Sequence, residues 1–166
     1  MHPLIDLEKI PRHNAPFPFW FWNGRMDPDE IRRQLGLMRD AGITEFIIHG
    51  RYGLQTEYLS DAWFDAVGAA VAEAEKTGMR AWIYDELNWP SGSAGGKVTA
   101  DRKFCEHYLD AEGRLVPTKT AADASPDYLS AEAAKKFIDL SAIEFCRYAE
   151  RKHCVSGHAP HGGDVA

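Results

Sequence analysis

Cysteine is scarce in this 166-residue chain: Cys105, Cys146 and Cys154 are the only three. An odd number at irregular spacing is no disulfide framework, so they read as free thiols of a reducing compartment. Long apolar runs are also missing. No stretch approaches the ~20 residues of a membrane-spanning helix, which argues against a membrane partner. Residues 1–10 carry Asp6, Glu8 and Lys9 and lack the apolar core of a signal peptide. Cytoplasmic residence is the resulting expectation. Positive charge is short, with 19 Lys and Arg against 25 Asp and Glu for a net charge of −6. Phosphate binding wants clustered Lys and Arg, so a nucleic-acid partner is disfavoured. What remains, 45% hydrophobic and 27% charged residues, suits one globular domain with a sizeable core. Aromatics reach 11% with five Trp, and such flat side chains suit a core or a sugar-binding cleft.

Local signals alternate between strand and helix. Residues 17–22 are continuously apolar and aromatic, a buried strand with Pro18 near its start. Asn23-Gly24-Arg25 turns the chain. Asp27 can cap a helix, with Pro28 at its first position and Glu30 completing a capping-box pattern. Met26 and Ile31 sit as a hydrophobic staple. Ile31, Leu35 and Met38 give the buried face, and Gly42 ends the helix. The cycle repeats with a strand at 46–48, then His49-Gly50-Arg51 and a loop to Tyr58. Ser60 caps a second helix, stapled by Leu59 and Phe64. Its stripe is Trp63, Val67, Ala70, Val71 and Ala74, and Gly78 stops it. A third strand spans 79–84 and ends in Asp85-Glu86. Three strand–helix alternations with apolar strands indicate an α/β fold with a parallel sheet.

The pattern then loosens. Residues 87–98 form a long loop with Gly92, Gly95 and Gly96, 101–109 suggest a short helix, and 114–116 an extra strand. Ser130 caps a further helix over about 131–150, and the tail 151–166 has no apolar period and is expected to be disordered. Residues 91–98 fail as a phosphate loop, since Ser91 stands where Gly is needed and Val98 where Ser or Thr is needed. Cys154, His158 and His161 fit no common zinc spacing.

In parallel α/β architectures functional groups collect where strands end. Here those positions are Trp22 and Asn23 after strand one, His49 and Arg51 after strand two, and Asp85, Glu86, Asn88 and Trp89 after strand three. Carboxylates, amides, an imidazole, a guanidinium and indoles together suit a hydroxyl-rich ligand. Several have a structural alternative: Trp22 as core, His49 as a satisfied buried histidine, Arg51 paired with Glu57 or another carboxylate. Asp85 and Glu86 are adjacent in a strand and should point apart. One is then a site group and the other a loop cap, with Glu86 favoured for the site.

Longer motifs carry a resemblance. They are Pro18-Phe19-Trp20-Phe21-Trp22-Asn23-Gly24; His49-Gly50-Arg51-Tyr52-Gly53-Leu54 with Tyr58-Leu59-Ser60; and Trp82-Ile83-Tyr84-Asp85-Glu86 with Trp89-Pro90-Ser91-Gly92 and Ala94-Gly95-Gly96. Together they resemble the start of the catalytic barrel in α-L-rhamnosidase-like glycoside hydrolases. Asp127-Tyr128-Leu129-Ser130 and Phe137-Ile138 resemble the helix that precedes strand four there. The match covers roughly residues 15–145. It implies a partial TIM barrel of three parallel βα units over 1–150, with a carbohydrate substrate. It implies that Glu86 is catalytic or holds a calcium ion or substrate hydroxyls, and that Asn23, His49, Arg51 and Trp89 line the same pocket.

The chain departs from that pattern in its short link between Val98 and Asp127 and in lacking a legible strand four with its further acidic pair. A closed barrel takes eight strands and about 250 residues, and glycoside hydrolysis normally needs two carboxylates. The expectation is a barrel fragment that is inactive alone. Its open third-strand edge would invite self-association unless the segment around Leu115 and Val116 covers it. Two alternatives stay open: a non-catalytic carbohydrate-binding or vestigial module, and a metal-dependent hydrolase barrel using His49 and Asp85.

Overall fold

The computed structural model describes residues 16–89, 91–117 and 124–151. Strand β1 (Phe19–Trp22), helix α1 (Pro28–Asp40), strand β2 (Glu45–Gly50), helix α2 (Asp61–Thr77) and strand β3 (Arg80–Leu87) follow one another along the chain. The three strands form one sheet in the order β1-β2-β3 with both pairings parallel. This is the α/β arrangement expected from the alternating pattern, in which each helix carries the chain back to start the next strand alongside the last.

The helix boundaries have local causes. Asp27 Oδ1 accepts from the backbone N–H groups of Asp29 and Glu30, with Pro28 at the first helical position. Glu30 does not complete the capping box, because its carboxylate is taken by Arg33 at 2.7 Å. Ser60 Oγ accepts from Trp63 N, and Gly78 closes α2 in the left-handed region at φ +71°. That conformation is open to glycine without a Cβ penalty.

Strand alternation divides the sheet into two unlike faces. Trp20, Trp22, Phe46 and Ile48 point toward the helices and are buried with Ile31, Leu35, Trp63, Phe64, Val67 and Ala70. On the other face Phe19 pairs with Ile47, Phe21 with His49, and Ile47 with Trp82. No helix of the described residues covers that second face, and Phe19, Phe21 and Trp82 remain more than two-fifths exposed.

Beyond β3 the structure departs from the sequence reading. Residues 101–109 hold only a single 3₁₀ turn, Arg102–Phe104, and then strand β4 (His107–Leu109), which pairs antiparallel with β5 (Leu115–Pro117). This hairpin is a separate two-stranded sheet and does not cover the edge of β3. The single helix expected over 131–150 is two, α3 (Ala131–Leu140) and α4 (Ala142–Arg151), broken at Ser141. The fully buried Ser141 hydroxyl donates to Phe137 O, a local bond that competes with regular helix geometry. After the break, Phe145 and Tyr148 of α4 lie against Phe64 at centroid distances of 5.2 and 5.0 Å. The glycine-rich segment has a small core of its own, Ala94, Val98 and Phe104 with Ala133 of α3. Arg151, the first residue of the tail expected to be disordered, ends α4, and the rest of it, with Cys154, His158 and His161, lies outside the described residues, as do Pro90, residues 118–123 and the residues before 16.

Among the described residues no helix is long and apolar enough to cross a membrane.

Candidate functional site at the strand ends

Because all three strands run the same way, their C-terminal ends share one rim. The backbone ladder ties those ends together: Arg51 N donates to Trp22 O and Asn88 N to Gly50 O, both at 2.9 Å. Asn88 then adopts φ +65°, a left-handed conformation that Asn tolerates better than most residues. Beyond that turn, Trp89 lies over the rim with 52% of its surface exposed. Its ring centroid is 5.6 Å from His49 and 6.4 Å from Phe19.

Arg51 belongs to the same cluster. Its Cζ lies 4.3 Å from the Trp89 centroid, 5.1 Å from that of Phe21 and 5.4 Å from that of Tyr52. The pairing with Glu57 weighed from sequence does not form, since Glu57 meets Lys97 at 3.5 Å. Among the described residues Arg51 makes no ion pair, and its buried Nη1 has no hydrogen-bond partner.

His49 is fully buried beneath this layer, 4.2 Å from the Tyr84 ring. Its Nε2 is 3.2 Å from Asn88 O. A carbonyl only accepts, so Nε2 carries the proton and Nδ1 is a bare acceptor. Burial holds the imidazole pKa below its ordinary value; the bond to Asn88 opposes this and the Arg51 charge adds to it. His49 is therefore a neutral ring at pH 7. Its Nδ1 and the neighbouring Asn88 Oδ1 are both enclosed without partners. Asn23 stands exposed after β1. A pocket of about 290 Å³ lies between Tyr52, Leu87, Asn88 and Trp89 on one side and Ser93, Gly95, Gly96, Thr99 and Ala124 on the other.

Two of the expected site residues lie elsewhere. Trp22 is 2% exposed and faces the helices, edge-on to Trp20 and Trp63 at 5.4 and 5.1 Å. Being two residues after Trp20 on a strand, it shares that residue's buried face. Glu86 is fully buried and is not available to a substrate. Its Oε1 accepts from Leu87 N and Gly95 N at 2.8 and 2.6 Å. Its Oε2 accepts from Gly92 N, Ser93 N and Ala94 N at 2.8, 2.8 and 2.9 Å. Five convergent backbone N–H groups form an anion-binding nest around the carboxylate. Gly92, Ala94 and Gly95 reach that arrangement through positive φ, Ala94 among them at +51°. Glu86 is thus the anchor of the rim loop, and the catalytic role expected of it is corrected.

The calcium ion implied by the resemblance does not fit there either. Calcium takes six to eight oxygen ligands, and the Glu86 oxygens face N–H donors. Among the described residues no group of three or more His, Cys, Asp or Glu could hold a metal. The half-buried Asp85 makes no hydrogen bond or ion pair among the described residues. Near both carboxylates is the buried Tyr58, whose phenol is pushed up by burial, with the charges of Glu86 and Asp85 adding to the effect.

The sequence reading missed Tyr84, Phe19, Phe21 and Tyr52, which enclose His49 and Arg51. Counting by twos from Trp82 reaches Tyr84, and β1 alternation separates Phe19 and Phe21 from Trp20 and Trp22, so strand period was the available signal. Compared with protein-family models, curated proteins and solved structures, the chain matches none.

Proposed function

We propose that this chain is part of the (β/α)8 catalytic barrel of a glycoside hydrolase similar to the α-L-rhamnosidases, and that its strand-end rim binds sugar without turnover by this chain alone. One observation carries the reading. At the shared C-terminal end of three parallel strands, the half-exposed Trp89 indole stands beside Arg51, Asn88 and the buried His49. An indole face covers the apolar side of a pyranose while amide and guanidinium groups bind its hydroxyls. In barrels of this kind the active site lies at that end. The uncovered face with Phe19, Phe21, Trp82 and Tyr84 then corresponds to the packed barrel interior.

Turnover is a separate matter. Hydrolysis of a glycosidic bond normally uses two carboxylates about 5–9 Å apart. With Glu86 committed to its five N–H groups, Asp85 is the acid these strand ends have left. The second acid has to come from beyond the three strands.

The test is calorimetry of the purified chain against neutral monosaccharides, L-rhamnose included, beside a turnover assay on aryl glycosides. Millimolar or tighter binding without turnover is the expected outcome. Failure to bind any sugar overturns the binding reading, and turnover abolished by Asp85→Asn overturns the inactive one.

A further inference from the structure

Arg51 gives the rim more than a neutral sugar requires. Amides and an indole suffice for such a ligand, yet this rim also carries a cation that meets no counter-ion among the described residues. The enclosed Nη1 has no acceptor, and the solvent-reaching guanidinium nitrogens have none either among the described residues. The acids of the surrounding loops do not meet it: Glu86 is held by the Gly92–Gly95 segment, Glu57 by Lys97, and Asp85 makes no ion pair.

We propose that the rim takes a sugar bearing a carboxylate, a uronate, with Arg51 as the partner of its acid group. The proposal rests on the sugar-binding reading and names its substrate class. Trp89, Phe21 and Tyr52 surround the guanidinium, and stacking on a ring face leaves the in-plane N–H groups free for a bidentate carboxylate. Among the described residues, the remaining Arg51 nitrogens and the Asn88 amide nitrogen make no hydrogen bond and, unlike Nη1, are not enclosed. The rim therefore presents donors to its ligand. Donors select acceptors, and the strongest acceptor a sugar can carry is a carboxylate. Arg51 also stands out in a chain of net charge −6, which would otherwise repel such a ligand.

The experiment titrates the purified chain with D-glucuronate and D-galacturonate beside D-glucose and D-galactose, at low and at physiological salt. Uronates should bind at least about tenfold tighter than their neutral parents, the size of effect a charge-assisted bidentate pair brings. The advantage should shrink as salt rises, and the uronate-to-neutral affinity ratio should fall to about one in Arg51→Gln. Arg51→Lys should keep part of it, since the charge remains and the fork does not. Equal affinity for uronate and neutral parent in the unaltered chain overturns this inference and leaves the sugar-binding reading standing. A uronate preference that persists in Arg51→Gln also overturns it. No binding by any of the four, nor by L-rhamnose, removes both.

Discussion

Replacing Glu86 by Gln changes one atom, and the geometry makes that change expensive. An amide offers one accepting oxygen and an NH2 that only donates. Turned one way, the NH2 faces the N–H groups of Leu87 and Gly95; turned the other, it faces those of Gly92, Ser93 and Ala94. At least two buried donors lose their acceptor either way. Hydrogen bonds to a charged group are worth about 1.5–3 kcal/mol each, so about 4 kcal/mol is lost. That is a large share of the 5–15 kcal/mol typical of a whole domain. Urea unfolding should show it as a midpoint lower by about 2 M, for a slope near 2 kcal/mol/M. Hydrogen exchange should show the amides of Gly92, Ser93, Ala94 and Gly95 losing protection first. The neighbouring Asp85→Asn, which breaks no hydrogen bond, should stay within about 1 kcal/mol of the unaltered chain. A Glu86→Gln variant as stable as Asp85→Asn would refute the anchoring role.

Three further outcomes are expected. The pKa of His49 is depressed in the folded chain, so the unfolded chain takes up that proton first. Stability should then be full above about pH 6.5 and fall as the pH drops below it; a melting series should show the fall, and His49→Gln should flatten it. The carboxyl of Glu30, drawn down to about 2 by Arg33 and Gln34, acts only at more acid pH and does not blur that window. Thiol labelling of the native chain should modify the exposed Cys146 well before the buried Cys105, whose thiol burial pushes up; equal rates would contradict the described packing. The outer edge of β3 pairs with no strand among the described residues, and the aromatic sheet face is open beside it. Size-exclusion chromatography should therefore show concentration-dependent self-association, and a sharp monomer at all concentrations would count against it.

The parallel core was legible because independent signals agreed. Asp27 and Ser60 cap where the apolar period begins, and Gly78 stops the helix where that period ends. The break at Ser141 was not legible, because the stripe from Ala134 to Phe145 runs through it, and a single Ser announces neither its bond to Phe137 O nor the packing of α4 on Phe64 that favours the bend. The Asp85–Glu86 pair was recognisable as holding a loop cap, but the cap is Glu86 and not the residue expected. What decides it is the nest of N–H groups six to nine residues later, and the composition of a glycine-rich loop does not say which side chain it wraps. Trp22 could have been placed correctly from strand period alone, since it shares the parity of the buried Trp20.

The central claim, that the strand-end rim binds sugar through Trp89, is tested most directly by the indole N–H resonances of the protein. Trp20, Trp22 and Trp63 are buried on the helix side, whereas Trp82 and Trp89 are exposed on the other. Titration with L-rhamnose and with D-glucuronate should shift the Trp89 indole signal saturably while those of Trp22 and Trp63 stay fixed. A Trp89 signal that holds its position through the titration, or one that moves no further than Trp63, would contradict the account.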